Sequence, residues 1–294
     1  KAIGEYLQSA VAGVGITMNL VNQEWNTFLN TRKNGDYSIA RNGWLADYND
    51  PICFLDMWVT ASGNNDVQFG KGDHAALKMY KLDLTDLGYD VKVENGTWAE
   101  TYDVLISLIK SCTDNDNRYA MMHIAEDMLM DTGCIVPIYY YNDVYMQKPG
   151  VEGVYSNAYG TKYFMHATNG DSAKLRLQLA SEPDKLDPAL NSSVDGACLA
   201  ANSFGGLYTY DAEGQLAPNF ATEYTVSDDG LTYVFTMRDG LKWSDGSDLT
   251  AKDFEYSWKR AANPETAADY SYMFNGIAGY PDNLNVTASE DGKT

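Results

Sequence analysis

No run of about eighteen or more apolar residues occurs anywhere in the sequence, so no segment is long enough to span a bilayer as a helix. Basic charge is also scarce: 21 Lys and Arg stand against 41 Asp and Glu, a formal charge of −20. No cluster of Lys and Arg is visible, which argues against nucleic acid, since phosphate binding needs such clusters. The four cysteines, Cys53, Cys112, Cys134 and Cys198, show no CxxC spacing. They read as small buried thiols rather than a zinc knuckle or redox pair. His74, His123 and His166 are too scattered in sequence to suggest a metal site, and no role is assigned to them. No Ser/His/Asp order, phosphate loop or metal-ligand motif stands above chance, so no cofactor or metal is expected.

What is present is a globular composition. Hydrophobic residues make up 45% of the 294 residues and charged ones 21%, with no long low-complexity run. That is enough apolar material for a substantial core, and the length suggests two domains.

Hydrophobic periodicity supplies the elements. Residues 1–12 read as a helix, Ile16 to Val21 as a strand, Glu24 to Lys33 as a helix closed by Asn34-Gly35, and Tyr37 to Gly43 as a second strand. This alternation implies a mixed or parallel sheet with helices against it. Trp98, Tyr102, Leu105 and Ile109 recur at helical spacing, as do Met121, Ile124, Ala125 and Met128; both stripes predict core. Gly88 to Gly96 reads as a polar surface excursion, and Ile135 to Tyr141 as a short strand buried on both faces. Further on, Tyr224 to Val226 and Thr232 to Met237 flank Ser227-Asp228-Asp229-Gly230, a hairpin signal with one face predicted buried. Thr250 and Asp253 make a capping-box-like helix start, followed by a core stripe of Phe254, Trp258 and Ala261. Trp243 and the neighbouring Asp-Gly turns read as structural.

The stretch Gly43 to Pro51 places the carboxylate of Asp47 beside Trp44 and Tyr48, where a strand-like segment gives way to a turn. In open α/β sheets ligands sit outside the carboxyl ends of strands, and flanking aromatics strengthen a charge contact by lowering the local dielectric. The alternative is an Asp that only caps the following helix.

Three segments bear on the choice. Leu20 to Trp25, Asp36 to Pro51 and Ile135 to Tyr141 resemble the C-terminal third of oligopeptide-binding proteins, in extracellular solute-binding protein family 5, the receptors of ABC peptide importers. A second block, Gly230 to Gly246 with Thr250 to Phe254, resembles the N-terminal pattern of the same family. The resemblance implies a type II periplasmic-binding-protein-like α/β fold with mixed sheets flanked by helices, permuted or fragmentary. Residues 1–168 correspond to the C-terminal-like lobe and residues 174–294 to an N-terminal-like part, joined by 169–173. That order is the reverse of the family's, and the family's long middle segment is absent. A circular permutation is physically tolerable because domain termini often lie close together, and a junction of two tandem or misassembled genes also fits; a fragment, or a designed or shuffled chain, is expected ahead of a natural complete protein.

The resemblance also implies a function. A transport receptor for many peptides must grip what all share: the backbone and the N-terminal amine. Carried over from the family, Asp47 matches the acid that binds the α-amine, Arg32 and Arg41 match basic residues near the far end of the ligand, and Trp44 and Tyr270 match pocket aromatics. Ser192 stands where one branch has a Glu. Each has a plainer alternative: a surface ion pair for Arg41, a helix-dipole partner for Arg32, core packing for Tyr270. The expected ligands are short peptides and the expected partners ABC permease subunits. The expected location is extracytoplasmic, inferred from the resemblance, since no signal peptide is seen in this chain. Any membrane association runs through a lipid anchor or permease outside it. Competing readings are a same-fold receptor for an oligosaccharide or nickel complex and, more remotely, a glycoside hydrolase using paired acids, a chemistry that needs two carboxyls about 5–10 Å apart across a cleft. No enzyme activity is expected.

Overall fold

The computed structural model describes residues 1–72 and 79–294; His74 lies outside the described residues. The chain mixes helices and strands. Among the described residues six helices carry most of the regular structure: α1 (Ala2–Ala12), α2 (Trp25–Lys33), α3 (Trp98–Ser111), α4 (Asn115–Asp131), α5 (Val194–Ser203) and α6 (Ala251–Ala262). Ten strands, β1 to β10, accompany them among the described residues. They pair two by two and antiparallel: β1 (Met79–Asp83) with β2 (Lys92–Thr97), β3 (Val151–Glu152) with β6 (Thr168–Asn169), β4 (Tyr155–Ser156) with β5 (Lys162–Tyr163), β7 (Tyr208–Tyr210) with β8 (Leu216–Pro218), and β9 (Ala221–Val226) with β10 (Tyr233–Met237).

The main core forms where helical spacing predicts it. Trp98, Tyr102, Leu105, Ile106 and Ile109 of α3 meet Met121, Met122, Ala125, Met128 and Leu129 of α4, all buried. Thr97 and Glu100 close a capping box that fixes the start of α3. Trp98 lies against Phe69 with ring centroids 4.2 Å apart, and its indole N–H donates to the Met128 carbonyl at 2.9 Å. The Tyr102 hydroxyl donates to the Leu55 carbonyl at 2.9 Å, so each buried polar tip has a partner. This core anchors the turn-rich segment 50–69, the scaffold of the site.

The second block keeps its predicted hairpin and capping box. Tyr233 pairs with Val226 across the Ser227–Gly230 turn, and Gly230 takes a φ of +72°, which favours glycine. Thr250 and Asp253 cap α6 reciprocally, and the indole N–H of Trp243 donates to Asp253 at 3.3 Å, consistent with a structural Trp243. Phe254 and Trp258 are half-buried against Phe220 and Phe274 rather than fully enclosed.

Several expectations need correction. Ile16 to Val21 and Tyr37 to Gly43 are extended or bent but not laddered, and no mixed or parallel sheet forms among the described residues. Ile135 to Tyr141 is not a doubly buried strand: Val136 is 76% exposed and Tyr140 98%. Local β-propensity makes a strand only where a partner edge is available, and these segments have none among the described residues. Gly88 to Gly96 is not all excursion, since β2 begins at Lys92. The hairpin face predicted buried is mostly open; only Ala221 and Met237 are enclosed. Cys53 is buried, but Cys134 is exposed and Cys112 and Cys198 are intermediate.

Candidate functional site

The acid and aromatics of the Gly43 to Pro51 stretch meet the second block at Tyr270. The Tyr270 hydroxyl donates to Asp47 Oδ1 at 3.2 Å, and its ring stacks on Trp44 with centroids 6.1 Å apart and planes 28° apart. Tyr270 in turn stacks on Tyr272 at 5.9 Å. Three rings from two distant parts of the chain thus form a ledge beside one carboxylate.

Asp47 is not the helix cap. That role belongs to Asp50, whose Oδ1 accepts from the Ile52 N–H at 2.9 Å at the start of the short 3-10 helix Pro51–Phe54. Asp50 also grips Arg118 of α4 with two bonds, 2.7 and 3.1 Å. With capping and bridging supplied three residues later, the Asp47 carboxylate has Tyr270 as its hydrogen-bond partner. The residue as a whole is exposed to solvent. The protein atoms crowded around it strip enough water to push its pKa up to about 6; the Tyr270 bond pulls the other way, and the nearby Asp56 adds to the rise. Burial likewise drives the Tyr270 and Tyr272 phenols well above their ordinary range, so both stay neutral donors. The indole N–H of Trp44 is buried without a hydrogen-bond partner, an open donor beside the acid.

The two arginines lie in different settings. Arg41 is exposed, and its guanidinium donates to the Tyr141 hydroxyl at 2.5 Å. The same Tyr141 covers Gly43, where a Cβ would meet the phenol oxygen at 2.7 Å. Arg32, in the last turn of α2, sits 2.7 Å from Asp66, with 11% and 5% of the two side chains exposed. Its charge is matched within the protein. Ser192 donates to Asp269 at 2.9 Å, and Lys33 pairs with the same carboxylate. Lys33 and Asp269 border a cavity of about 360 Å3 that Asp184, Lys185 and Leu190 also line.

The sequence reading missed Tyr272, Asp56 and Lys110. Tyr272 is 2% exposed and Asp56 1%, and Lys110 at the end of α3 pairs with Asp56 at 2.8 Å. A signal existed for one of them: Asp56 is a lone acid inside the apolar run from Ile52 to Val59, where a charge requires a partner. Among the described residues no group of His, Cys, Asp and Glu is arranged to hold a metal ion.

Comparison with known proteins finds similarity in two separate segments of the chain. The model of the bacterial extracellular solute-binding proteins, family 5 Middle, matches residues 1–66 and 215–293, so both segments are similar to that family. A dipeptide-binding protein of Lactococcus lactis is 36% identical over 121 residues, covering 41% of this chain and 22% of the relative. The oligopeptide-binding protein OppA of Bacillus subtilis is 39% identical over 131 residues, covering 44% and 23%. Among solved structures, the unliganded open form of the periplasmic murein tripeptide-binding protein MppA is 32% identical, with 39% and 24% covered and a TM-score of 0.36. OppA of Listeria monocytogenes bound to peptide is 38% identical, with 32% and 18% covered and a TM-score of 0.31. The chain therefore spans under a quarter of the length of these relatives.

Proposed function

We propose that this chain forms part of the ligand-capturing surface of an extracytoplasmic receptor for short peptides, working with the permease subunits of an ABC importer. On this reading Asp47 takes the peptide α-amine, while Trp44 and Tyr270 form the walls against which the first residues lie. The observation that carries it is the junction itself. Asp47 and Trp44, from one family segment, meet Tyr270, from the other, in a hydrogen bond and a ring stack.

The chemistry suits an ammonium group. Asp47 offers a carboxylate with one oxygen bonded to a neutral phenol, in surroundings too crowded for full hydration. An incoming ammonium supplies the charge partner that the crowded carboxylate lacks, in a charge-assisted bond stronger than a neutral one. Arg41, exposed at the edge, provides a cation for a ligand carboxylate. Arg32 supports the site from below through Asp66, which also receives the Asn42 amide at 3.0 Å. The names of the matched relatives are those of binding proteins, and no catalytic role is proposed.

The finer architecture is part of the proposal: a type II solute-binding fold in which 1–168 corresponds to the C-terminal-like lobe and 174–294 to the N-terminal-like part. Calorimetric titration with short peptides and with the same peptides N-acetylated tests the functional reading. Heat from the free-amine set alone supports an acid-anchored peptide receptor. Equal binding of both sets removes Asp47 as the anchor, and silence from the folded protein in both removes peptide capture.

A further inference from the structure

We propose that Lys110 is a positioning residue for this site: by holding Tyr272 and Asp56 it sets the Tyr270 hydroxyl against Asp47. The inference rests on the peptide-receptor reading only for its effect on ligand affinity; the positioning itself is a property of the free protein. Lys110 lies in the last turn of α3, which the main core holds through the buried Leu105, Ile106 and Ile109. Its ammonium makes three contacts at once. It pairs with Asp56 at 2.8 Å, donates to Asn275 Oδ1 at 3.3 Å, and lies 5.7 Å from the centroid of the Tyr272 ring. The last two belong to the second block, so one side chain of the core fastens the segment 270–275 to α3.

The relay from Lys110 to the acid is short. Tyr272 is 2% exposed, with its ring stacked on Tyr270 and facing the Lys110 ammonium. A cation near an aromatic ring in a partly desolvated setting is attracted by the ring quadrupole. Tyr270 stacks on Tyr272, and its hydroxyl reaches Asp47. Lys110 has a second effect through charge. Asp56 is buried and raises the proton affinity of Asp47; the Lys110 ammonium offsets that carboxylate. The groups facing Asp47 are Tyr270 and Tyr272 from the second block and Cys53 and Asp56 from its own loop region; Lys110 reaches it only through these.

The test uses the whole chain with 3-fluorotyrosine placed at position 270 and its 19F shift followed against pH without ligand. The wild-type signal is expected to titrate with a midpoint near about 6, and the signal of Asp47→Asn to be flat. Lys110→Met is expected to abolish or displace that titration while its circular dichroism stays native, and Lys110→Arg to retain it. A native-like Lys110→Met with an unchanged midpoint overturns the proposal, as does a flat wild-type signal. Should Lys110→Met fail to fold, Tyr272→Leu, which removes the ring but keeps the cation, decides on the same criterion. Peptide affinity gives the second readout. Lys110→Met is expected to weaken it about tenfold in the wild type and to add little in a Tyr270→Phe background, whereas a purely structural role gives additive losses. No peptide binding by wild type, with the 19F titration lost in Lys110→Met, rejects the functional reading and leaves the positioning intact.

Discussion

Arg32 Nε lies 2.7 Å from Asp66 Oδ2, in a pair whose side chains are 11% and 5% exposed. The guanidinium also packs over the Phe28 ring, 5.6 Å from its centroid. Removing one partner of a buried pair strands the other charge, at a cost of about 3–5 kcal/mol. Arg32→Met is therefore expected to lower unfolding stability by roughly that amount in urea, with any loss of peptide binding following the loss of folded protein. A variant of wild-type stability that binds peptide more weakly would instead return Arg32 to the ligand.

Asp47 carries opposite consequences for function and stability. Its pKa is raised to about 6 in the folded chain, above the ordinary value of 3.8. A group with a raised carboxyl pKa binds protons more tightly when folded, so between about pH 4 and 6 stability falls as pH rises. At neutral pH the ionised Asp47 is a burden on the fold, and Asp47→Asn is expected to match or exceed wild type in Tm. On the proposed reading, peptide capture needs the same charge. Losing a charge-assisted bond of about 1.5–3 kcal/mol corresponds to roughly 10- to 100-fold in affinity. Calorimetry is expected to show wild-type affinity declining as pH drops below about 6, and a weaker, pH-independent Asp47→Asn.

Much of the helical framework was legible because its signals are local. The stripes from Trp98 and Met121, the Thr250 capping box and the Ser227–Gly230 turn each depend on residues within a few positions, and each forms. The strands at Ile16, Tyr37 and Ile135 were misread because a ladder needs a partner that local propensity does not supply. The site divides the same way. Asp47, Trp44 and Tyr270 were named from the family pattern, and the structure brings those three together. Their support could not be read along the chain, since Lys110 and Tyr272 meet across more than half of its length. Nor could the Arg32–Asp66 pairing, which gives that guanidinium a partner within the protein.

Asp50 shows why the neighbouring acid stays available. It caps the Pro51–Phe54 turn and binds Arg118 with two bonds, joining the site loop to α4. Loss of a cap costs about 1 kcal/mol, and a stranded, mostly buried guanidinium adds to it. Asp50→Ala is expected to destabilise by roughly 2–4 kcal/mol, with Asp50→Asn milder because its amide oxygen still caps. Chemical denaturation of the two variants checks the order, and an Asp50→Ala no worse than Asp50→Asn refutes the double role.

The segment from Ile135 to Tyr141 bears on how the protein behaves in solution. Val136, Ile138 and Tyr140 are 76%, 62% and 98% exposed, and the segment forms no ladder among the described residues. Extended backbone with open N–H and C=O groups and apolar side chains is a template for another chain. The net charge of −20 opposes association by repulsion, but salt screens it over about 8 Å at physiological ionic strength. The protein is therefore expected to be largely dispersed at low salt and to associate as salt rises, with sedimentation velocity recording the shift. Pro137 already interrupts the segment by lacking a ladder donor. Replacing Val136 and Ile138 by Lys places charge on the open edge and is expected to suppress association at every salt concentration, despite lowering the net negative charge. If the double variant associates as strongly as wild type, this edge is not the contact; if it associates more strongly, charge repulsion outweighs edge pairing.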